Sequence, residues 1–183
     1  MSEDSDFMTR AMEGDQAAFE TLMERWETPV RRFMGRVLQN AAEADELAQQ
    51  TFIQLWQNRS GFNPRSEFRP WLLATAARLA RERLHWWHRK PTFSLEPWTE
   101  AAGENPTGEP LSEGEIVVRE RAEAVRLGVA ALSPPLRVIA VLFEFEAIPQ
   151  AEIAVIIGCT PKAVETRLFR ARTALRAALA NVD

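Results

Sequence analysis

The sequence predicts an all-α protein of two helical domains joined by a flexible linker. Apolar residues recur at three- and four-residue steps over most of the chain, as they do on one face of a helix. No convincing alternation of period two, which would indicate a strand, accompanies them. Residues 91–115 change abruptly to proline, glycine and glutamate, a composition typical of linkers. We therefore assign residues 1–90 to an N-terminal domain and residues 116–183 to a C-terminal domain.

Composition restricts the class of protein. The chain has 183 residues, of which 46% are hydrophobic and 26% charged, as in globular proteins. No apolar run approaches the roughly 20 residues that span a bilayer. The acidic N-terminus lacks the basic start and apolar core of a signal peptide. A single cysteine, Cys159, excludes an internal disulfide. We expect a cytoplasmic protein that does not insert into a membrane.

The charge distribution is more informative than the net charge of −4. Residues 1–90 carry 13 basic and 13 acidic residues, whereas the linker carries six glutamates and no basic residue. Two basic stretches, Arg78 to Lys90 and Lys162 to Arg176, contain five Lys or Arg each against one Glu. Phosphate binding responds to such local fields rather than to the total charge. Either stretch alone is typical of a solvated helix face. The two together are compatible with nucleic-acid binding despite the negative net charge.

Three long helices are predicted in the N-terminal domain. Their expected ranges are 19–38, 41–57 and about 67–88. Because Pro29 lies inside the first pattern, we expect a break or kink after Thr28. The segment 58–66 has the chemistry of a loop.

Four helices are predicted in the C-terminal domain. They are expected at 116–132, 133–144, 149–157 and from 160 toward 180. Ser133 is an N-cap type followed by two prolines, which suit the first turn of a helix. Gly158 stands at a C-cap position, and Thr160 with Pro161 begins the last helix.

The last two helices have the pattern of a helix-turn-helix. A short helix, a three-residue turn containing Gly158 and a longer helix follow one another. The expected packing contacts are Ile153, Ala154, Ile157, Val164 and Leu168. In this motif the second helix enters the major groove of DNA. The alternative is an ordinary helical hairpin with a charged exterior.

Side chains of the last helix suit DNA contacts. Its outward face is expected to carry Lys162, Thr166, Phe169 and Arg170. Arginine forms paired hydrogen bonds with guanine, and Phe or the Thr methyl group contacts thymine methyl groups. Phosphate contacts are expected from Arg167, Arg172 and Arg176.

Both domains resemble a single protein family. The stretch from Glu152 to Arg172, preceded by Leu132 to Arg137, is similar to sigma region 4 of extracytoplasmic-function sigma factors, which reads the −35 promoter element. Independently, Ala44 to Trp56 resembles the polymerase-binding helix of sigma region 2, and Phe68 to Arg83 resembles the segment that melts and reads the −10 element. The resemblance implies a sigma factor that binds core RNA polymerase and promoter DNA and directs promoter-specific transcription initiation.

The resemblance implies two binding surfaces in the N-terminal domain. An acidic, amide-rich helix would grip a basic coiled coil of the polymerase's largest subunit by electrostatic complementarity. The residues expected there are Asp45, Glu46, Gln49, Gln50 and Phe52. The loop from Ser60 to Glu67 would capture a flipped base, and the basic, aromatic helix end would stack on single-stranded DNA. The residues expected in this −10 surface are Phe62, Asn63, Arg65, Ser66, Arg78, Arg81, Trp86, Arg89 and Lys90.

Two other interpretations of the sequence are disfavoured, and a third is compatible with the resemblance. An enzyme is disfavoured, because no glycine-rich phosphate loop or paired-carboxylate site stands out. His85 and His88 lack further Cys or His ligands nearby in sequence, so we expect no metal and no cofactor. A dimeric helix-turn-helix regulator would leave the acidic helix and the aromatic loop without a purpose. An anti-sigma partner is compatible with the resemblance, since such partners commonly clamp both domains.

Overall fold

The computed structural model describes residues 2–89 and 112–180, without the side chains of His88 and Glu113. Within these ranges the chain forms eight α-helices and no β-strand, which confirms the all-α prediction. The N-terminal helices are α1 (Glu3–Met12), α2 (Gln16–Leu38), α3 (Ala41–Gln57) and α4 (Phe68–Arg89). A single 3-10 turn, Arg59–Gly61, follows α3. The C-terminal helices are α5 (Glu113–Ala131), α6 (Pro134–Glu144), α7 (Gln150–Ile157) and α8 (Pro161–Leu179).

Local capping signals account for many of the helix starts. Asp15, Asn40 and Thr160 each accept a hydrogen bond from the backbone N–H three residues on, at 3.0, 2.9 and 3.2 Å. These bonds satisfy N–H groups that have no partner inside the helix. Ser133 precedes α6 as predicted but makes no side-chain cap hydrogen bond, so the first turn there depends on proline geometry.

The linker boundary requires a correction. Residues 91–111 of the expected linker lie outside the described part of the chain, but α5 begins at Glu113 rather than at Ile116. The reason is a capping box, in which Ser112 and Glu115 each accept a hydrogen bond from the other's backbone N–H. The Ser-x-x-Glu spacing in the sequence indicates this capping box, but the surrounding glycines and glutamates are typical of a linker.

Of the break or kink expected after Thr28, the break is wrong. Helix α2 continues through Pro29 to Leu38. A proline inside a helix costs about 3 kcal/mol, because it removes one backbone hydrogen bond and crowds the preceding turn. Buried side chains on both sides of Pro29 pack into the same core and stabilise the continuous helix. These side chains are Phe19, Leu22, Val30, Phe33, Met34 and Val37.

The two halves of the described chain share one hydrophobic core. Helix α4 packs on α6 and α7, and helix α2 packs on α5 and α6. The buried cluster is therefore continuous from Leu72 and Ala76 of α4 to Leu142 and Ile153 of the C-terminal half. The two halves therefore form a closed arrangement.

Arg36 and Arg69 connect the two halves through Glu146, just after α6. Arg36 Nη1 lies 2.9 Å from Glu146 Oε1, and Arg69 Nη2 donates to the Glu146 carbonyl at 2.6 Å. The Arg36 guanidinium also lies over the ring of Phe145, 5.0 Å from its centroid. Burial raises the pKa of Glu146, an effect that the nearby arginines partly counteract.

Arg137 forms a second polar connection, between the C-terminal ends of α2 and α5. Its guanidinium donates to the carbonyl oxygens of Val37 at 3.1 Å, of Leu132 at 3.2 Å and of Ala130. Burial lowers the Arg137 pKa. A cation is favourable here, because helix C-termini carry partial negative charge. The closed arrangement thus contains specific polar contacts as well as apolar packing.

Candidate DNA and polymerase interfaces

The turn between α7 and α8 has the geometry of a helix-turn-helix. Gly158 adopts a left-handed conformation with φ 73°, and its N–H donates to the Ala154 carbonyl at 3.0 Å. The N–H of Cys159 donates to the same carbonyl at 2.9 Å. Only glycine enters this region of backbone space without steric penalty. Thr160 then caps α8, so the predicted sequence of C-cap, turn and N-cap is confirmed.

One face of α8 packs against α7 and the rest of the core. Val164, Leu168 and Ala171 are buried, as are Ile153 and Ala154 of α7. Ile157, which was expected to join them, is half-buried and packs at the edge of the cluster. Since the inner face is fixed in this way, the opposite face of α8 must point outward.

The outward face of α8 carries the residues expected to read DNA. Lys162, Thr166 and Arg170 are exposed, and the Phe169 side chain is 70% exposed. Lys162 pairs with Glu165 at 2.8 Å, an exposed contact that is weak in water. The four side chains can meet a ligand without any rearrangement of the core.

The arginines expected at phosphates differ in availability. Arg176 is exposed, whereas Arg167 is half-buried. Arg172 already donates from Nε to Glu144 Oε1 at 2.8 Å, and its guanidinium lies 5.0 Å from the Phe143 ring centroid. A phosphate would therefore have to compete with α6 for Arg172.

The loop before α4 contains a buried aromatic residue, Phe62, and has a polar tip. Phe62 is 3% exposed, and its ring centroid lies 5.3 Å from that of Trp71 and 6.4 Å from that of Phe68. Phe62 was expected to contact DNA, and in this arrangement its ring is enclosed by its neighbours. Trp71 is half-buried and packs against the same core.

The tip of the loop is a tight turn. The N–H of Ser66 donates to the Asn63 carbonyl at 2.8 Å, and the N–H of Arg65 donates to Asn63 Oδ1 at 3.0 Å. Asn63, Arg65 and Ser66 are all exposed. The structure thus brings three of the residues predicted for the −10 surface together on one exposed turn.

The C-terminal part of α4 is mixed in its exposure. Arg78 is exposed and bonds Glu82 at 3.0 Å and Gln54 of α3. Arg81 is half-buried, with its Nε enclosed and without a hydrogen-bond partner among the described residues. Trp86, 36% exposed, and Arg89 lie at the surface. Lys90 lies outside the described residues.

A groove of about 760 Å³ runs between α2 and α3. Asp45 and Gln49 line it from α3, and Phe52, 3% exposed, closes its floor. Ile53 of α3 is 48% exposed in the same groove, so the surface is apolar with a charged edge. Three of the five residues expected to bind polymerase therefore lie on one concave surface.

The other two predicted polymerase contacts lie outside this groove. Glu46 is exposed and accepts from Arg83 Nη2 at 2.8 Å, while Gln50 is half-buried. Arg83 also pairs with Glu43, and burial lowers its pKa. Glu46 therefore belongs to a polar contact between α3 and α4.

Sequence reasoning missed the other wall of the groove. Met23, Glu27 and Arg31 of α2 line it, and Arg31 Nη1 lies 3.8 Å from Asp45 Oδ1. Their four-residue spacing places all three on one helix face. Met23 is 39% exposed. This regular spacing of an apolar residue with charged ones was the available signal.

Two known protein families match this chain, one in each half. The Sigma-70 region 2 family matches residues 22–88, and the Sigma-70 region 4 family matches residues 122–175. The RNA polymerase sigma factor CarQ of Myxococcus xanthus is 31% identical over 177 residues, which is 96% of this chain and 97% of that protein. RNA polymerase sigma-H factor of Pseudomonas aeruginosa is 29% identical and covers 97% of this chain and 94% of its own length.

Two solved structures share the fold. CnrH in complex with the cytosolic domain of CnrY has a TM-score of 0.72 at 24% identity, covering 98% of this chain and 99% of that one. RpoE of Bartonella quintana, in complex with the anti-sigma factor NepR, has a TM-score of 0.64 at 18% identity, covering 88% of this chain and 96% of that one. The helix-turn-helix and the region 2 core define a sigma-type transcription factor. The chain belongs to the sigma-70 family, in its extracytoplasmic-function group.

Among the described residues, no helix combines the length and apolar character that a bilayer span requires.

Proposed function

We propose that this sigma factor binds core RNA polymerase through the groove between α2 and α3 and reads promoter DNA with its two halves. Asp45 and Gln49 at the groove edge supply charge and amide groups, while Phe52 and Ile53 supply an apolar floor. A basic coiled coil of the polymerase's largest subunit complements both properties. The part of chain that binds polymerase and reads the −10 element is residues 1–90.

The C-terminal part, residues 116–183, reads the −35 duplex through α8. The observation that carries this proposal is the exposed face of α8, since Phe169 is 70% exposed while the opposite face is buried. Arg170 is positioned for a guanine edge and Phe169 for a thymine methyl group. Lys162 and Thr166 extend the contact toward the start of the helix, and Arg167 and Arg172 support it at phosphates.

The turn at Asn63, Arg65 and Ser66 takes up an unpaired −10 base. A base outside the helical stack needs polar groups for its edges and a surface for its ring. Trp86 and Arg89, at the far end of α4, provide a stacking surface and a positive charge for the same strand. Arg78 and Arg81 extend the positive charge along α4, and Lys90 follows Arg89 in the sequence.

The two halves must separate when both promoter elements are read. The elements are about 25 base pairs apart, which is roughly 85 Å at 3.4 Å per base pair. A compact chain of this length has a radius of gyration of about 16 Å. The closed arrangement is therefore the free form, and the DNA-bound form is an open one in which the chain between α4 and α5 joins the separated halves.

The activity proposed is non-enzymatic and cytoplasmic, because it consists of binding polymerase and DNA. CnrH and RpoE of Bartonella quintana were both solved with protein partners, one of them an anti-sigma factor. We propose that an anti-sigma factor binds this chain too and favours its closed form.

Run-off transcription tests the proposed function. Purified core polymerase, this protein and fragmented host DNA would be combined, and the 5′ ends of the transcripts mapped. We expect discrete start sites that require the protein and that share two upstream elements. Binding to DNA without binding to polymerase would instead favour a conventional helix-turn-helix regulator.

A further inference from the structure

Helix α1 supports the loop that carries Asn63, Arg65 and Ser66. It packs on α2, on α4 and on the 3-10 turn. It also precedes residue 22, where the match to the region 2 family begins. The contact between α1 and the loop is made by Ser5, whose side chain is 0% exposed.

The Ser5 hydroxyl contacts backbone groups on both sides of Glu67. It donates to the Ser66 carbonyl at 3.1 Å and accepts from the Phe68 N–H at 3.1 Å. Phe68 is the first residue of α4, so its N–H has no partner inside the helix. One side chain thus connects the end of the loop with the start of α4.

The hydrogen-bonding capacity of Ser5 is fully used. A serine hydroxyl has one proton to donate and two lone pairs to accept. The proton goes to Ser66, and the lone pairs accept from the Phe68 N–H and from the Ser2 hydroxyl at 2.9 Å. An apolar replacement would leave a buried N–H and a carbonyl without this partner, and the loop backbone could relax toward water.

Helix α1 is itself held firmly in place. Asp4 accepts from Trp26 Nε1 at 2.9 Å and pairs with Arg25. The Trp26 ring packs edge-on against Phe68, with centroids 6.2 Å apart. Ser5 therefore contacts the loop from a fixed support on α2.

We propose that Ser5 is a positioning residue for −10 recognition. This role rests on the proposed function of the loop. The hydroxyl fixes the backbone at Ser66 and Phe68 and so presents Asn63 and Arg65 in one geometry to the unpaired base. Ser5 is too deeply buried to touch DNA, so its contribution is to selectivity among bases rather than to phosphate binding.

A matched pair of variants tests the role of the hydroxyl. Ser5→Thr and Ser5→Val have nearly the same shape, but only the threonine keeps the hydroxyl. Holoenzyme containing each variant would bind fork-junction DNA of a promoter mapped by run-off transcription, with each unpaired −10 base replaced in turn. We expect Ser5→Val to reduce discrimination at one or more −10 positions about tenfold relative to Ser5→Thr, which corresponds to about 1.4 kcal/mol.

Three controls separate positioning from a general structural effect. Thr9→Ala removes another hydroxyl of α1, which bonds only the Ser5 carbonyl at 2.8 Å, and should leave discrimination unchanged. Core polymerase affinity and binding to −35 duplex should be equal in Ser5→Thr and Ser5→Val. In the wild-type protein, the buried Phe68 amide should exchange its hydrogen more slowly than the Arg65 amide, whose hydrogen bond to Asn63 is exposed to solvent.

The outcomes are distinct. Equal discrimination by the valine and threonine variants, or rapid exchange of the Phe68 amide, would overturn the inference. Loss of folding or of core binding in the valine variant alone would also overturn it, since Ser5 would then stabilise the whole domain. If wild-type holoenzyme discriminates between no DNA sequences at all, the proposed function itself fails.

Discussion

At the scale of single residues, the exposed face of α8 combines two kinds of side chain. Phe169 is an apolar ring that is 70% exposed in the free protein, and Arg170 beside it is an exposed cation. Covering the ring with a thymine methyl group removes apolar surface from water. The arginine can make a paired hydrogen bond to guanine. Base selectivity is therefore expected from these two adjacent residues.

Replacing Arg170 by alanine is expected to reduce affinity for a cognate −35 duplex by about 1–3 kcal/mol. Discrimination against altered −35 bases should relax with it, because a base contact is lost. Fluorescence anisotropy with a set of −35 duplexes measures both effects. Arg176→Ala is the control, since loss of a phosphate contact weakens all duplexes equally. Equal weakening by Arg170→Ala would assign this arginine to phosphate.

Charge reversal at Asp45 is expected to abolish core polymerase binding. Asp45 lines the groove between α2 and α3, so Asp45→Lys places a cation where a basic partner must approach. Glu46→Lys is the matched control, because Glu46 lies outside the groove and contacts Arg83. A pull-down with core polymerase and a circular dichroism spectrum would separate binding from folding. Stronger loss in Glu46→Lys than in Asp45→Lys would move the interface away from the groove.

At the scale of elements, the turn between α7 and α8 sets the direction of α8, the helix proposed to read DNA. Gly158 holds a positive φ, while Thr160 and the buried pair Val164 and Leu168 fix the start of α8. The exposed face is thus determined by a turn of three residues. A small backbone change in this turn would redirect every side chain on α8.

Gly158→Ala should destabilise the protein by about 1–2 kcal/mol, because an L side chain is strained in the left-handed region. Apart from Gly158 and its chain neighbours, no described atom lies within 4 Å of the added Cβ, so the effect would come from backbone strain. Gly61→Ala is a suitable control, since it also has open space and no positive φ. Urea unfolding measures both free energies. Equal stability of the two variants would show that the turn relaxes without strain.

At the scale of the whole molecule, the closed arrangement uses a continuous core and a few buried polar contacts. The Glu146 carboxylate pairs with Arg36, and the Glu146 backbone carbonyl accepts a hydrogen bond from Arg69. Arg137 connects the C-terminal ends of α2 and α5. Breaking one partner of a buried pair leaves a charge without compensation. The closed form is therefore sensitive to single charges at this interface.

Glu146→Arg is expected to open the two halves, because it places a third cation beside Arg36 and Arg69. Small-angle scattering should then show a radius of gyration well above the compact value of about 16 Å. Combining Glu146→Arg with Arg36→Glu restores opposite charges and should recover much of the compact form. An unchanged radius in the single variant would mean that apolar packing alone holds the halves together.

The sequence determined those features that depend on neighbouring residues. The range of α3, the caps at Gly158 and Thr160 and the buried face of α8 follow from helical periodicity and local hydrogen bonding. The expected surface at Lys162, Thr166, Phe169 and Arg170 follows for the same reason, because one buried face defines the opposite exposed one.

Only the tertiary structure decided features that depend on residues far apart in the chain. The tertiary structure was needed to show that α2 is continuous through Pro29 and that Phe62 is buried. It was also needed to show the groove between α2 and α3 and the contact of Ser5 with residues more than 60 positions away. The same holds for the contact between the two halves. Each is set by packing between elements, whose free energies exceed local propensities and whose partner residues a local sequence pattern does not identify.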